Sequence, residues 1–376
     1  MVVDYYNKDV LLWGIERAGF ELNNFLLLES RVNDWLENIK QPTVKQLEKV
    51  AEKLHLPFGY LFLDAPPHEE ISFPFFRTNN NQLNQRYVSL NVYDTIKIIE
   101  RRQDWLKDFL LENGNEALDF VGYFRNSDNP IEVANHMRET LNIQELWASQ
   151  FDTWEVALNY LTERIEDIGI IVSSNGVVGN NTKRKLPVEE CRGFVVVDEI
   201  VPFMFINNSD SKAAQMFTLV HELAHVWIGY SAGFDFRDMK PANNQIEIFC
   251  DKIAAEFLVP AHIFQEKWNE NDDFTVLNRF FKVSPIVIAR RALDLNYISR
   301  DSFFDFYNNY IKQEFHKKEN LTSGGNFYAT AKKRISPTFA AYINIGVKSG
   351  KLLYKDAYKL TGIYGDTFGI FYEKFY

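Results

Sequence analysis

The run Phe217-Thr218-Leu219-Val220-His221-Glu222-Leu223-Ala224-His225-Val226-Trp227-Ile228 sets two histidines and a glutamate inside a stretch that is otherwise almost wholly apolar. Val220, Leu223, Ala224, Trp227 and Ile228 recur at the three-to-four-residue spacing of a buried helix face, which predicts a helix and puts His221 and His225 one turn apart on it. Both imidazoles can then reach one metal ion, and neutral imidazole at about 2.0–2.1 Å is a good ligand for Zn²⁺. Glu222, one residue along, is turned partly away from such an ion, a geometry that suits a base rather than a ligand. An HExxH pattern also arises by accident, most often in a polar segment. Here the polar groups stand in an apolar helix, where leaving them unpaired is costly and a metal relieves the cost.

With 376 residues the chain is long enough for two or three domains and a sizeable core. It is 46% hydrophobic and 15% aromatic. No apolar run approaches the roughly eighteen residues of a membrane span, so a soluble protein without a membrane partner is expected. Met1-Val2-Val3-Asp4-Tyr5-Tyr6 lacks a basic region followed by an apolar core, so no signal peptide is expected. Cys191 and Cys250 are the only cysteines. Two thiols make no secreted disulfide framework, which fits a cytoplasmic setting, and both read first as small core residues. The net charge of −10 argues against non-specific binding of nucleic acid over the whole surface. Nothing in the sequence bears on oligomeric state.

The fold class expected is α+β, mostly helical, with a small sheet and the HExxH helix between helical N- and C-terminal regions. Residues 1–66 form the first of four expected segments. Leu11, Leu12, Ile15 and Ala18 share a helix face that Gly19 ends, further clusters follow at Leu22, Phe25 and Leu26 and at Val32 and Trp35, and Thr43 is a plausible cap for a helix from Val44 to Leu54. Through Trp35-Leu36-Glu37 and Gln41-Pro42-Thr43-Val44-Lys45-Gln46-Leu47-Glu48, this segment resembles the helix-turn-helix module of Cro/repressor-type proteins. Asn38 stands where such modules usually have glycine, and the stretch Glu29 to Glu37 offers Arg31 as its only basic residue. DNA backbone contact needs Lys and Arg, so a packing or protein-binding module is the plainer expectation, with DNA binding by this segment open.

Residues 67–150 read as a proline-rich joint and helical linker. The joint, from Pro57 to Pro74, is expected to be extended, Asn79–Gln82 to be a polar loop, and helices to run from about Val92 to Leu111 and Pro130 to Leu141. Residues 151–270 hold the HExxH helix. A helix over Phe151–Glu166 precedes three short β-branched or aromatic runs, Ile168–Val172, Gly193–Asp198 and Phe203–Asn207, which read as strands of one sheet. An edge strand there has a use in a peptidase, since it can align an extended peptide by backbone pairing. Gly229–Asn244 reads as a loop, and Gln245–Pro260 as a second amphipathic helix stopped by proline.

A catalytic zinc site of this kind wants a third protein ligand, often a carboxylate. Glu247 is the candidate, with Asp251, four residues on and facing the same way, as the acceptor that fixes the other N–H of a ligating histidine. Glu256, Cys250 and His262 compete for the ligand role.

The run Phe217 to His225, followed by Glu247, Asp251 and Lys252-Ile253-Ala254-Ala255-Glu256-Phe257-Leu258-Val259-Pro260, resembles the ImmA/IrrE family of zinc metallopeptidases. Members with an N-terminal repressor-type module also show the Pro66-Pro67 joint and a Phe-Arg-Thr like Phe76-Arg77-Thr78. The resemblance implies a gluzincin-like metallopeptidase core, a cytoplasmic bacterial or phage setting, and cleavage of a regulatory protein such as a transcriptional repressor. It also implies His221, His225 and Glu247 as zinc ligands and Glu222 as catalytic base.

Residues 271–376 are again expected to be helical, through Phe274–Phe281, Pro285–Leu293 and Ser302–Phe315, with Gly324-Gly325 ahead of a small tail with helices near Pro337–Lys348 and Tyr354–Leu360. Val283–Leu293 and Leu352–Leu360 each resemble the tail of a helix-turn-helix unit, for which packing is the plainer role. No Walker loop, dinucleotide fingerprint or internal repeat is present. Two functions stay open: a zinc endopeptidase acting on a protein regulator, or a transcription regulator that senses metal or a partner through a non-cleaving metallopeptidase fold.

Overall fold

The computed structural model describes residues 1–69, 75–76, 88–234, 245–317 and 327–376. The expected Asn79–Gln82 loop, the last residues of the proline-rich joint and Gly324-Gly325 lie outside them. The chain divides into two compact units, Met1–Ser72 with Arg86–Asp94, and Phe73–Gln85 with Thr95–Tyr376.

In the first unit, helices α1 (Lys8–Arg17), α2 (Leu22–Leu28), α3 (Ser30–Leu36) and α4 (Val44–Lys53) close on a core that includes Leu11, Ile15, Phe25, Val32, Trp35 and Leu47. Gly19 ends the first helix at φ +79°, a backbone conformation that glycine adopts without penalty. Thr43 caps α4 in a reciprocal box with Gln46: each side chain satisfies a backbone N–H of the other's residue. Asn38 adopts φ +59°, the left-handed conformation that glycine takes most freely and asparagine tolerates better than most residues. The joint departs from the extended form expected from its prolines, because Phe58–Phe62 winds into a 3-10 turn. Its Leu61 is fully buried, and the Leu61 carbonyl accepts the Asn7 N–H at 2.7 Å, so the turn is held by packing that proline spacing does not reveal.

The second unit is mostly helical with a small sheet, an α+β arrangement. Its elements begin with β1 (Phe75–Phe76), α5 (Leu90–Glu112, whose first turn belongs to the other unit), α6 (Pro130–Thr140), α7 (Trp154–Asp167) and β2 (Ile171–Asn175). A hairpin of β3 (Val177–Val178) and β4 (Asn181–Lys185) follows, then β5 (Gly193–Val196), β6 (Phe203–Asn207), α8 (Lys212–Ile228), β7 (Ala232–Phe234) and α9 (Gln245–Leu258). Helices complete the chain: α10 (Ala261–Glu270), α11 (Phe274–Phe281), α12 (Pro285–Asp294), α13 (Arg300–Lys317), α14 (Phe327–Ile335), α15 (Pro337–Lys348), α16 (Tyr354–Thr361) and α17 (Asp366–Phe375).

The main sheet has the order β1-β7-β5-β6-β2. β2 runs parallel to β6, β5 antiparallel to both β6 and β7, and β1 parallel to β7. The strand β7 falls in the stretch expected to be loop; three residues that pair with Gly193–Val195 carry no periodicity to announce them. The α8 helix lies on this sheet, and Gly193 is what lets it approach. A Cβ on Gly193 would stand 2.7 Å from Thr218 Cγ2 and 3.0 Å from the Phe205 carbonyl oxygen.

Two buried ionic groups hold the final helices to the β2 side of the sheet. Arg102 of α5 donates to the carbonyls of Leu360 and Arg334 and to Ser173 Oγ, while the Glu166 carboxylate of α7 accepts from Ser336 Oγ, Thr338 Oγ1 and the Val172 N–H. Each finds the several partners that a buried charge requires.

Candidate metal centre

The centre is built on α8, which is buried from Gln215 to Ile228. A helix apolar on every side is stable only inside a protein, and both ends of this one are closed. Ser211 caps its start by accepting the Ala214 N–H. At its end Gly229 turns left-handed at φ +81° and returns its N–H to the His225 and Val226 carbonyls. The chain at Gly122 crosses so closely that a Cβ on Gly229 would lie 2.9 Å from Gly122 Cα. From that crossing the Gly122 and Phe124 N–H groups donate to the Val226 and Trp227 carbonyls, satisfying acceptors that a helix terminus otherwise leaves open. Trp227 stacks on Phe120 at 4.7 Å and donates its indole N–H to His136 Nδ1 at 3.0 Å.

With α8 fixed in this way, His221 and His225 present their rings to one side, 5.1 Å apart and fully buried. Helix α9 packs on α8 and brings in Glu247, one oxygen 3.1 Å from His221 Nε2 and the other 3.4 Å from His225 Nε2. One turn along α9, Asp251 Oδ1 lies 3.0 Å from His221 Nδ1. A ligand atom from each of His221, His225 and Glu247 lies within 4.8 Å of the others, so this buried group could hold a metal ion.

Burial lowers the His221 pKa, but hydrogen bonds and charge from Asp251 and Glu247 outweigh it and bring the value up to about 10. In Glu247 burial raises the pKa, and the hydrogen bonds and charges of the two histidines overcome it, holding the carboxyl down to about 2. His225 is lowered, chiefly by burial. Glu222 has no compensating partner: burial, countered by the His221 charge and reinforced by that of Glu247, pushes its pKa up to about 8. Among the described residues, neither of the two buried Glu222 oxygens has a hydrogen-bond partner. The two histidine Nε2 atoms face each other at 3.3 Å, with a carboxylate beside both. Such a donor set suits a divalent cation, which neutralises the carboxylate and gives both imidazole lone pairs a partner.

Two of the competing ligand candidates, Glu256 and His262, are engaged elsewhere. Glu256 forms a buried ion pair with Arg291 and accepts the Ala261 N–H. His262 is exposed and lies 3.2 Å from Glu145. Cys250 is buried, and its thiol pKa is pushed up, first by burial and then by the charges of Glu247, Asp251 and Glu222. The supports around the centre, Gly122, Phe120, His136 and Gly193, were not legible in the sequence. Each acts through a neighbour distant along the chain, and none belongs to a local motif.

Residues 180–293, which include α8, α9 and all the residues of this centre, match the family model of the IrrE N-terminal-like domain, a metallopeptidase family. Residues 335–374 match a second family model, described only as a domain of unknown function. No curated protein matches the chain. No helix among the described residues is long and apolar enough to cross a membrane.

Proposed function

We propose that the protein is a zinc-dependent endopeptidase with a gluzincin-like core that cleaves a regulatory protein, such as a repressor or an antitoxin-like factor. The observation that carries this reading is Glu222, a carboxylate buried with both oxygens unpartnered among the described residues, next to the His221–His225–Glu247 group and within the region matched to a metallopeptidase family. Zinc bound by those three residues would supply Lewis acidity to a peptide carbonyl and make nearby water easier to deprotonate. Asp251 fixes the His221 ring through Nδ1, which keeps Nε2 directed at the centre. Glu222 takes a proton from the attacking water and hands it on to the departing amine.

The segment assignment that goes with this reading is a repressor-type helical module over 1–66, a joint and linker over 67–150, the peptidase domain over 151–270 and a helical region over 271–376. Arg31 is the only basic residue of α3 and lies 3.9 Å from a Glu29 oxygen, which favours protein contact over DNA contact for the first module. Buried Cys191 and Cys250, read as small core residues, accord with a cytoplasmic location.

The test is comparative proteomics of cells expressing the wild type or Glu222→Gln. A regulator whose cleaved form appears only with the wild type is the expected result. Identical proteomes together with full biological activity of the variant would replace the peptidase with a metal or partner sensor.

A further inference from the structure

The two helices that carry the metal centre are each held at the last turn by a third helix. On α6, Val133, Ala134 and Met137 face the core, and His136 and Arg138 flank that buried face on its two sides, since residues two apart lie about 200° round a helix from each other. His136 meets α8. The fully buried Trp227 donates its indole N–H to His136 Nδ1 at 3.0 Å. A nitrogen that accepts carries no proton of its own, so His136 is neutral and protonated at Nε2. Thr140 Oγ1 also lies 3.3 Å from Nδ1, but it gives its hydrogen to the His136 carbonyl at 2.9 Å. Tyr123 stacks on the imidazole at 5.0 Å with 19° between the planes, which stops the ring from turning its acceptor away.

Arg138 meets α9. Its Nη2 donates to the Glu256 and Phe257 carbonyls at 2.6 and 3.3 Å, and its guanidinium lies 5.5 Å from the centre of the Phe257 ring. A cation placed there satisfies acceptors that the last turn of a helix leaves open and suits the negative end of the helix dipole. Asn135 Oδ1 accepts from Nη1 at 2.7 Å and keeps the side chain aimed at α9. Glu247 stands nine residues before Glu256 on the same helix. A helix with its side chains is about 10–12 Å across, so a turn of about 10° around the α9 axis carries the Glu247 carboxylate by about 1 Å. A binding constellation tolerates only about 0.5 Å. Asp251 ties α9 to His221 at 3.0 Å, but that contact acts at the level of the centre and leaves the helices free to pivot about it.

We infer that α6 sets the register of the two metal-carrying helices: His136 is the positioning residue for α8 and Arg138 for α9, and together they hold His221 and His225 at the distance from Glu247 that one cation requires. The inference rests on the metal site proposed above and adds the residues that fix its geometry. Apolar side chains at these two positions would keep α6 in place but would give no direction. A hydrogen bond weakens steeply off its line, so the Trp227 N–H and the two α9 carbonyls fix the rotation and translation of each helix, where an apolar contact tolerates sliding.

The test uses the full-length protein and two readouts other than turnover: zinc affinity, by competition with a chelator, and the visible absorption band of the cobalt(II)-loaded protein, which reports coordination geometry. His136→Phe keeps a ring against Tyr123 but offers no acceptor, and Arg138→Met keeps the stem but offers no donor. Each should lower zinc affinity by about tenfold or more and alter the cobalt band. His136→Asn, whose Oδ1 can stand in for Nδ1, should retain most of the affinity. Adding His136→Phe to Trp227→Phe should cost no more than Trp227→Phe alone, since the bond is already gone. Arg102→Met is the control. It removes another buried guanidinium that holds backbone carbonyls, and should lower the thermal melt without altering either metal readout. Unchanged affinity and cobalt band in His136→Phe and Arg138→Met, full additivity of His136→Phe with Trp227→Phe, or the same metal changes in Arg102→Met would each overturn the inference. Should Arg138→Met fail to fold, the His136–Trp227 cycle decides. A wild type that takes up neither metal would overturn the metal site and this inference with it, whereas metal held equally by wild type and variants would overturn this inference alone.

Discussion

The helix pair α8–α9 and the N-terminal helices α1–α4 bury apolar surface in the same manner but differ in what else they bury. Among the described residues of the first unit no polar or charged side chain is buried, and its core is aliphatic and aromatic throughout. In α8 and α9 the buried set includes His221, Glu222, His225, Glu247 and Glu256. Burial of a polar group does not by itself mark function. Arg102, Glu166 and Glu256 are buried too, and each finds ionic or hydrogen-bonding partners within the chain. Glu222 finds none. A buried carboxylate left unsatisfied costs folding free energy, so its retention points to a role outside folding.

Several substitutions would break or sharpen that comparison. The largest effect is expected at the histidines. His221→Ala or His225→Ala should abolish zinc binding, read as metal per chain, because each removes one of the three ligands proposed. Full occupancy in either variant would dissolve the contrast between the two regions.

Glu247→Ala and Glu256→Ala separate the two kinds of buried carboxylate. Glu247→Ala should lose the metal, whereas Glu256→Ala should keep it but destabilise the fold by about 3–5 kcal/mol, because Arg291 is left buried without its partner. Metal analysis and denaturant unfolding of both variants decide this, and the reverse pattern would make Glu256 the ligand. Asp251→Asn is intermediate, with a loss of about 10–100-fold in zinc affinity measured by competition with a chelator.

The smallest effect lies in the first unit. Thr43→Ala removes the cap of α4 and should cost about 1 kcal/mol there, leaving zinc content untouched.

What the sequence made legible follows the same division. The HExxH helix was readable because polar residues interrupt an apolar period, although its start at Lys212 was not, since the Ser211 cap and Ala213-Ala214 precede that period. Helices with strong periodicity or capping prolines, such as Phe274–Phe281 and Pro337–Lys348, have the bounds expected of them. Strand β2 runs three residues later than expected, because Gly169 at φ +94° ends the preceding helix and the strand continues through polar Ser173, Ser174 and Asn175. The hairpin β3–β4 and the short strands β1 and β7 have no alternation to read, so only tertiary pairing defines them. Within the candidate centre, the grouping of His221, His225 and Glu247 was legible. The partnering of Glu256 by Arg291, which separates it from Glu247, depends on a residue far along the chain and was not.

The central claim is that Glu222 is kept buried and unpaired because it moves a proton during peptide cleavage. Its most direct test is to measure zinc content and turnover on the same preparation of Glu222→Gln, with the regulator identified in cells as substrate. The account predicts a full complement of zinc and a rate lower by at least about 10²-fold, the lower range for a general acid–base group. A variant that holds its zinc and cleaves at the wild-type rate would contradict it.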